Sequence, residues 1–239
     1  MIGRARLLLA AVPALSAASV FGQGAPPGFD AERLRAGVFR YRTVVDGKEA
    51  GGSRIEIRRS GSGDFVYTNV VEGAFSQSWE AVASRAFAPR SARLTRGAGK
   101  DARAVFELAY SGGRVKGFAS SANGGRRPVD DAVAADTVDQ RIDWAAAMAR
   151  KDLVPGSGFA FHVYDPGTGH SRVTARVVGL ETVRVPAGTF EAVRVVYRIA
   201  KNRGTETYDA LFRKEIPRLL VKETFPNGAV TELVEAASP

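Results

Sequence analysis

The chain has 239 residues, 34 Lys plus Arg against 25 Asp plus Glu, a formal net charge of +9, and no cysteine. The missing cysteines exclude disulfide staples, thiolate metal ligation and a lipid attached at a cleavage-site cysteine. The basic residues are scattered singly along strand-like segments (Arg40, Arg42, Arg54, Arg176, Arg198), with no basic helix and no aromatic-basic motif. That pattern argues against nucleic acid and for a solvated, arginine-rich outer face, for which an anionic envelope surface is the natural neighbour.

Residues 1–22 read as a signal peptide. Arg4 and Arg6 form a basic start, Leu7 to Phe21 an apolar run, and Val20-Phe21-Gly22 a small-residue cleavage site before Gln23. The apolar run is short for a membrane span of about 20 residues, and the expected destination is the periplasm. Residues 23–35 are Gly- and Pro-rich and read as a flexible lead-in. One β-rich domain is expected over 36–236, with a strand block at 36–120, a loop and helix at 121–152, and a second strand block at 158–236.

In the first block, Val38–Val45 alternates Arg40 and Arg42 with Phe39 and Tyr41. Arg54–Arg58 places Ile55 and Ile57 on one face, and Asp64–Val71 does the same with Phe65, Tyr67 and Val71. The stretch 74–96, around Ser78-Trp79-Glu80, fits either a strand or a short helix. Ala102–Tyr110 and Arg114–Ser120 form a hairpin about Ser111-Gly112-Gly113, with Phe106, Leu108 and Tyr110 on one side. Residues 121–136 read as a Gly-, Arg- and Asp-rich connection.

One helix is expected. Thr137-x-x-Gln140 has the pattern of a capping box, and Val138, Ile142, Ala145 and Ala149 recur at helical spacing beside Trp144 and Met148. Pro155-Gly156 lies beyond its end. The second block is dominated by the hairpin Val183–Tyr197, turning at Pro186-Ala187-Gly188. A three-residue loop there sets Val185 opposite Thr189 and Val177 opposite Tyr197. The last hairpin turns at Pro226-Asn227-Gly228. A three-residue loop pairs Lys222 with Glu232, whereas a two-residue turn would set Glu223 against Glu232, so the longer loop is preferred. Strands, helix, strands, with one-sided apolar faces, predict a mainly β fold: a curved antiparallel sheet, an open half-barrel, with one central connecting α-helix inside the curve.

Catalytic patterns are sparse. The sequence has no Gly-x-Ser-x-Gly elbow, no Ser-x-x-Lys and no His-Glu-x-x-His. Asp130-Asp131 reads as loop acid. Gly124-Gly125-Arg126-Arg127 is a weak phosphate signal at most. His162, Asp165 and His170 flank a tight turn and are weak candidates for a metal site, against the plainer reading of a hairpin with two cross-strand histidines. No cofactor is implied.

The tract Arg172–Tyr197, with Gly179, Glu181, Pro186, Gly188 and Phe190, resembles the hallmark hairpin of an exported bacterial family, domain of unknown function 3108. Ile216-Pro217-Arg218 followed by Leu219–Phe225 resembles that family's later step, and Asp139–Trp144 its linker helix. The resemblance runs over about 130–236. It implies a periplasmic carrier fold of the LolA and LppX type, with an apolar concave side, and so a lipid or lipoprotein-like ligand. The expected role is therefore non-enzymatic binding of an apolar ligand inside the curve. Trp144, Met148, Val177, Val193, Val195 and Tyr197 are the expected cavity-facing residues, chosen by face. The alternative is an envelope structural or interaction module with a filled core. A cavity below a few hundred Å³ would favour that alternative.

Overall fold

A computed structural model describes residues 28–73, 76–97, 99–120, 125–201 and 204–237. The expected signal peptide lies outside the described residues. The strands are β1 (Gly37–Val45), β2 (Lys48–Arg59), β3 (Phe65–Gly73), β4 (Gln77–Ala83), β5 (Pro89–Arg96), β6 (Arg103–Ser111), β7 (Arg114–Ser120) and β8 (Arg126–Ala132). Next come β9 (Thr137–Asp139), a 3-10 turn (Gln140–Ile142) and the helix α1 (Asp143–Met148). The chain then continues through β10 (Gly158–Asp165), β11 (Gly169–Val185), β12 (Gly188–Lys201), β13 (Gly204–Arg213), β14 (Leu220–Thr224) and β15 (Val230–Ala237).

All fifteen strands of the described residues belong to one sheet, ordered β8 to β1 and then β15 down to β9. Each half is a meander of neighbours, and β1 pairs with β15 in the middle. Every pairing is antiparallel except β9 with β10. The sheet curls but stays open between β8 and β9. Side chains span that opening: Tyr110 OH donates to Asp139 at 2.6 Å, Tyr164 OH donates to Asp131, and Arg127 donates to the Pro166 carbonyl.

Alternation sets the inner face. Phe39, Tyr41, Ile55, Ile57, Phe65, Tyr67, Phe106, Leu108 and Tyr110 are buried on one side, as their period of two requires. On the outside, Arg42 pairs across the seam with Glu232 at 2.8 Å, and Arg54 with Glu56 at 3.2 Å. Gly117 in β7 has φ +150°, and a Cβ there would meet the Glu107 carbonyl oxygen at 1.9 Å, so the β6–β7 ribbon can close only with glycine at this position.

Several expectations are corrected. Within the ambiguous stretch 74–96, the described residues take the strand alternative and form β4 and β5. The connection 121–136 contains β8, whose pattern Arg126-Arg127-Pro128-Val129-Asp130-Asp131 is that of a sheet edge carrying charge and a proline rather than of a half-buried strand. From Gly28 onward the lead-in is built into the core: Phe29 and Leu34 are buried, and the Asp30 and Ala31 amides donate to the carbonyls of Ala149 and Arg85.

The helix begins later than the capping-box pattern suggested. Thr137 to Asp139 are extended and pair parallel to β10. Asp139, with ψ of 135°, caps the 3-10 turn before α1, its side chain accepting from the Arg141 amide, and α1 itself starts after Ile142 with no side-chain cap. Thr137 cannot cap because its backbone is committed to the sheet. All six residues of α1 are buried, as an element enclosed on every side must be.

The long hairpin is one residue tighter than expected. Val185 pairs with Gly188 across Pro186-Ala187, and Gly188 takes φ +134°, where L side chains are strained. A bulge between Val177 and Gly179 adds a second offset, so Val177 faces Val195 and Ala175 faces Tyr197. Two single offsets equal one side-chain period, so the inward set beyond the bulge is unchanged. The last hairpin has the expected register, with Lys222 opposite Glu232 and a loop closed by the Phe225 amide donating to the Ala229 carbonyl.

The Ile216-Pro217-Arg218 step serves the helix. Arg218 is 6% exposed, and its Nη1 donates to the carbonyls of Met148 at 3.0 Å and Arg150 at 2.8 Å. It thus satisfies carbonyls that α1 leaves open at its C-terminal end. Arg218→Met removes two charge-assisted bonds and is expected to cost about 3 kcal/mol in urea denaturation. A loss of a few tenths would show that Arg218 merely fills space.

Candidate functional site

A cavity of about 520 Å³ lies between the start of α1 and the concave face. Its apolar wall includes Ile55, Val71, Trp79, Leu94 and Leu220. Its aromatic side is built by Trp144, Tyr197, Tyr208 and Phe225. The rings of Tyr197 and Tyr208 lie parallel with centroids 5.0 Å apart, and Phe225 meets Tyr208 edge-on at 5.9 Å. Directly opposed residues of β12 and β13 bring the two tyrosines together.

Two carboxyls stand in this wall. Asp143 at the start of α1 is 8% exposed, and Glu223 of β14 is 6% exposed. Asp143 accepts from the Trp144 amide at 2.7 Å, and Glu223 accepts from Tyr197 OH. Burial raises Asp143 to about 8, with the nearby Glu223 adding to the shift, and burial raises Glu223 to about 7. Arg141 also lines the cavity, but it is committed to Asp139 and Asp165 and donates to the Tyr164 carbonyl at 3.1 Å. Its guanidinium lies 4.6 Å from the centre of the Phe106 ring. Trp144 is held by its own Nε1, which donates to the Arg141 carbonyl at 3.0 Å.

Of the residues expected to face a cavity, Trp144 and Tyr197 line it. Met148, Val177, Val193 and Val195 are buried in the packed part of the core instead. Sequence reasoning missed Asp143, Glu223 and Tyr208. The signal for Glu223 was an acid close behind the apolar run Leu219-Leu220-Val221; a bulge in the pairing with β13 then sets it on the same face as Leu220.

His162, Asp165 and His170 do not converge as a triad. The two imidazoles stack, 6.2 Å apart, and His162 Nδ1 lies 2.7 Å from Asp136. Asp165, three residues along β10 from His162, faces the other side of the sheet. There it pairs with Arg141 and accepts from the Gly167 amide at 2.7 Å. Among the described residues, no group of three His, Cys, Asp or Glu side chains could hold a metal ion.

The fold and its cavity define an open half-barrel with an enclosed helix. The chain belongs to the family described as "Protein of unknown function (DUF3108)", whose profile matches residues 29–234 and so takes in the first strand block as well as the second. No curated protein matches it. Among solved structures it is similar to a β-barrel-like protein of domain of unknown function 1849 from Brucella abortus, at 12% identity and TM-score 0.55, covering 85% of this chain and 98% of that one. A protein described as exported, with a YmcC-like fold, from Bacteroides fragilis matches at 12% identity and TM-score 0.42, covering 88% and 100%. The Brucella likeness supports the architecture alone.

Proposed function

We propose that this protein is an exported, non-catalytic binder that holds an apolar or lipidic ligand in the cavity between α1 and the concave face. The observation that carries this reading is the cavity itself. Its volume of about 520 Å³ falls within the roughly 300–1,000 Å³ typical of small-molecule sites. A filled-core interaction module would have closed that space with side chains. Half of its lining residues are aromatic or aliphatic and supply most of its surface, and each CH₂ transferred there from water contributes about 0.8 kcal/mol. Export rests on the pattern of residues 1–22.

The test is native mass spectrometry of protein isolated from the periplasm, with titration of an uncharged apolar fluorophore such as N-phenylnaphthylamine. A co-purifying lipid mass or saturable fluorophore binding is expected. Leu94→Trp, which adds bulk at the cavity wall, should weaken binding about tenfold. Protein that carries no lipid and binds no fluorophore would remove the reading.

A further inference from the structure

The charged groups of the cavity are one-sided, although neutral polar side chains such as Gln77, Gln140 and Asn227 also line it. Asp143 and Glu223 are both more than nine-tenths buried and both line the space, and among the described residues neither is ion-paired to Lys, Arg or His. Each has a hydrogen bond to one oxygen only, from the Trp144 amide and from Tyr197 OH. Asn69, in the same lining, keeps a buried Oδ1 with no hydrogen-bond partner. The cation in the wall, Arg141, is already satisfied by two aspartates. Among its charged groups the site therefore sets two carboxyls against no cation left to pair with them. The aromatic side, Trp144, Tyr197, Tyr208 and Phe225, adds ring faces, whose quadrupole attracts positive charge.

We propose that the cavity takes an amphiphile with a cationic, amine-type head seated at Asp143 and Glu223 and an apolar body against Ile55, Val71, Leu94 and Leu220. This rests on the cavity-binding reading above and narrows it to a ligand class. The preference runs against the chain's overall charge of +9, which by itself would favour anionic amphiphiles. It also gives the interaction a pH sense. Burial holds both carboxyls toward the protonated form, and a cation between them displaces their protons. The other titratable groups facing the pair are Arg141 and Asp139 from the segment before α1, Tyr41 of β1, Tyr197 of β12 and Tyr208 of β13. The three phenols are pushed upward by burial and stay neutral.

The test is displacement of N-phenylnaphthylamine by decyltrimethylammonium, decanol and decyl sulfate. Each is kept below its micelle concentration, and near-UV circular dichroism confirms the native fold. The ammonium compound is expected to displace at about tenfold lower concentration than the sulfate. Its advantage should widen from pH about 6 to about 8, as the carboxyls ionise. In an Asp143→Asn, Glu223→Gln double variant the advantage should vanish while decanol still displaces. If the sulfate equals or beats the ammonium in the wild type, the cationic head is wrong and apolar binding stands. If the fluorophore binds but none of the three displaces it, the amphiphile proposal falls and apolar binding stands; if the fluorophore does not bind at all, both readings fall. The wild-type series decides the matter even if the variant does not fold.

Discussion

The ligand-free protein is expected to lose stability as the pH rises from about 4 to about 8. The cause is the pair in the cavity wall. Burial lifts Asp143 to about 8, with Glu223 contributing, and lifts Glu223 to about 7. In the unfolded chain both titrate near the usual carboxyl values of about 4. Between those limits the folded state binds more protons than the unfolded one, so stability falls with pH. The contribution is fully present below about 4 and gone above about 8. Each proton held differentially changes stability by about 1.4 kcal/mol per pH unit, and with two such groups the loss across the window amounts to several kcal/mol.

Other groups do not mask this trend. Asp30 and Asp152 are lowered by hydrogen bonds from Arg85 and Arg150, and their contributions are lost only in acid. His170, lowered by burial, acts in the opposite direction, but only below about 6.5. Urea titrations across the pH range should show the decline in the wild type and a flat profile in Asp143→Asn, Glu223→Gln. A stability that stays level or rises between about 6 and 8 would contradict the burial argument.

The second large effect is expected at Arg141. Its partner Asp139 is 0% exposed and accepts from the Arg141 amide at 2.9 Å, from the Arg141 guanidinium and from Tyr110 OH. Arg141→Met leaves a buried carboxylate without its counter-charge and is expected to cost about 3–5 kcal/mol. Asp139→Asn should cost a comparable amount, because it strips the guanidinium of one of its two acids. The double variant should lose less than the sum of the two, by about 1–3 kcal/mol. Simple additivity in this double-mutant cycle would mean that the pair is not coupled. Because Arg141 also joins Asp165 across to β10, these variants should loosen the start of α1 and weaken apolar probe binding as well.

The parts of this fold that were legible in the sequence are those where parity governs. Phe106, Leu108 and Tyr110 face inward because alternation leaves no other choice, and Lys222 opposes Glu232 because the other register stacks like charges. The inward set of the long hairpin emerged from a mistaken register, since the tighter turn and the bulge at Val178 cancel in parity. Elements defined by their position in the sheet were not legible. β8 has no alternation because it is an edge, and Thr137–Asp139 is extended only because β10 lies beside it. The family resemblance marked Asp139–Trp144 and Arg218 without saying what they do. In the structure Arg141 ties the turn before α1 to Asp165 and Arg218 closes the end of α1, which a single sequence could not reveal because these partners lie 24 and 70 residues away.

The meeting of β1 with β15 sets an order of assembly. Pairs across that seam, such as Arg42 with Glu232, are 190 residues apart, whereas almost every other strand contacts the one just before or after it. Each half can zip up locally as it emerges from the ribosome or a translocation pore, but the joint must wait for the final strand. Until then Phe39 and Tyr41 sit on an unpaired margin. A chain truncated before β15 would therefore present a sticky edge that favours self-association over a smaller version of the same protein.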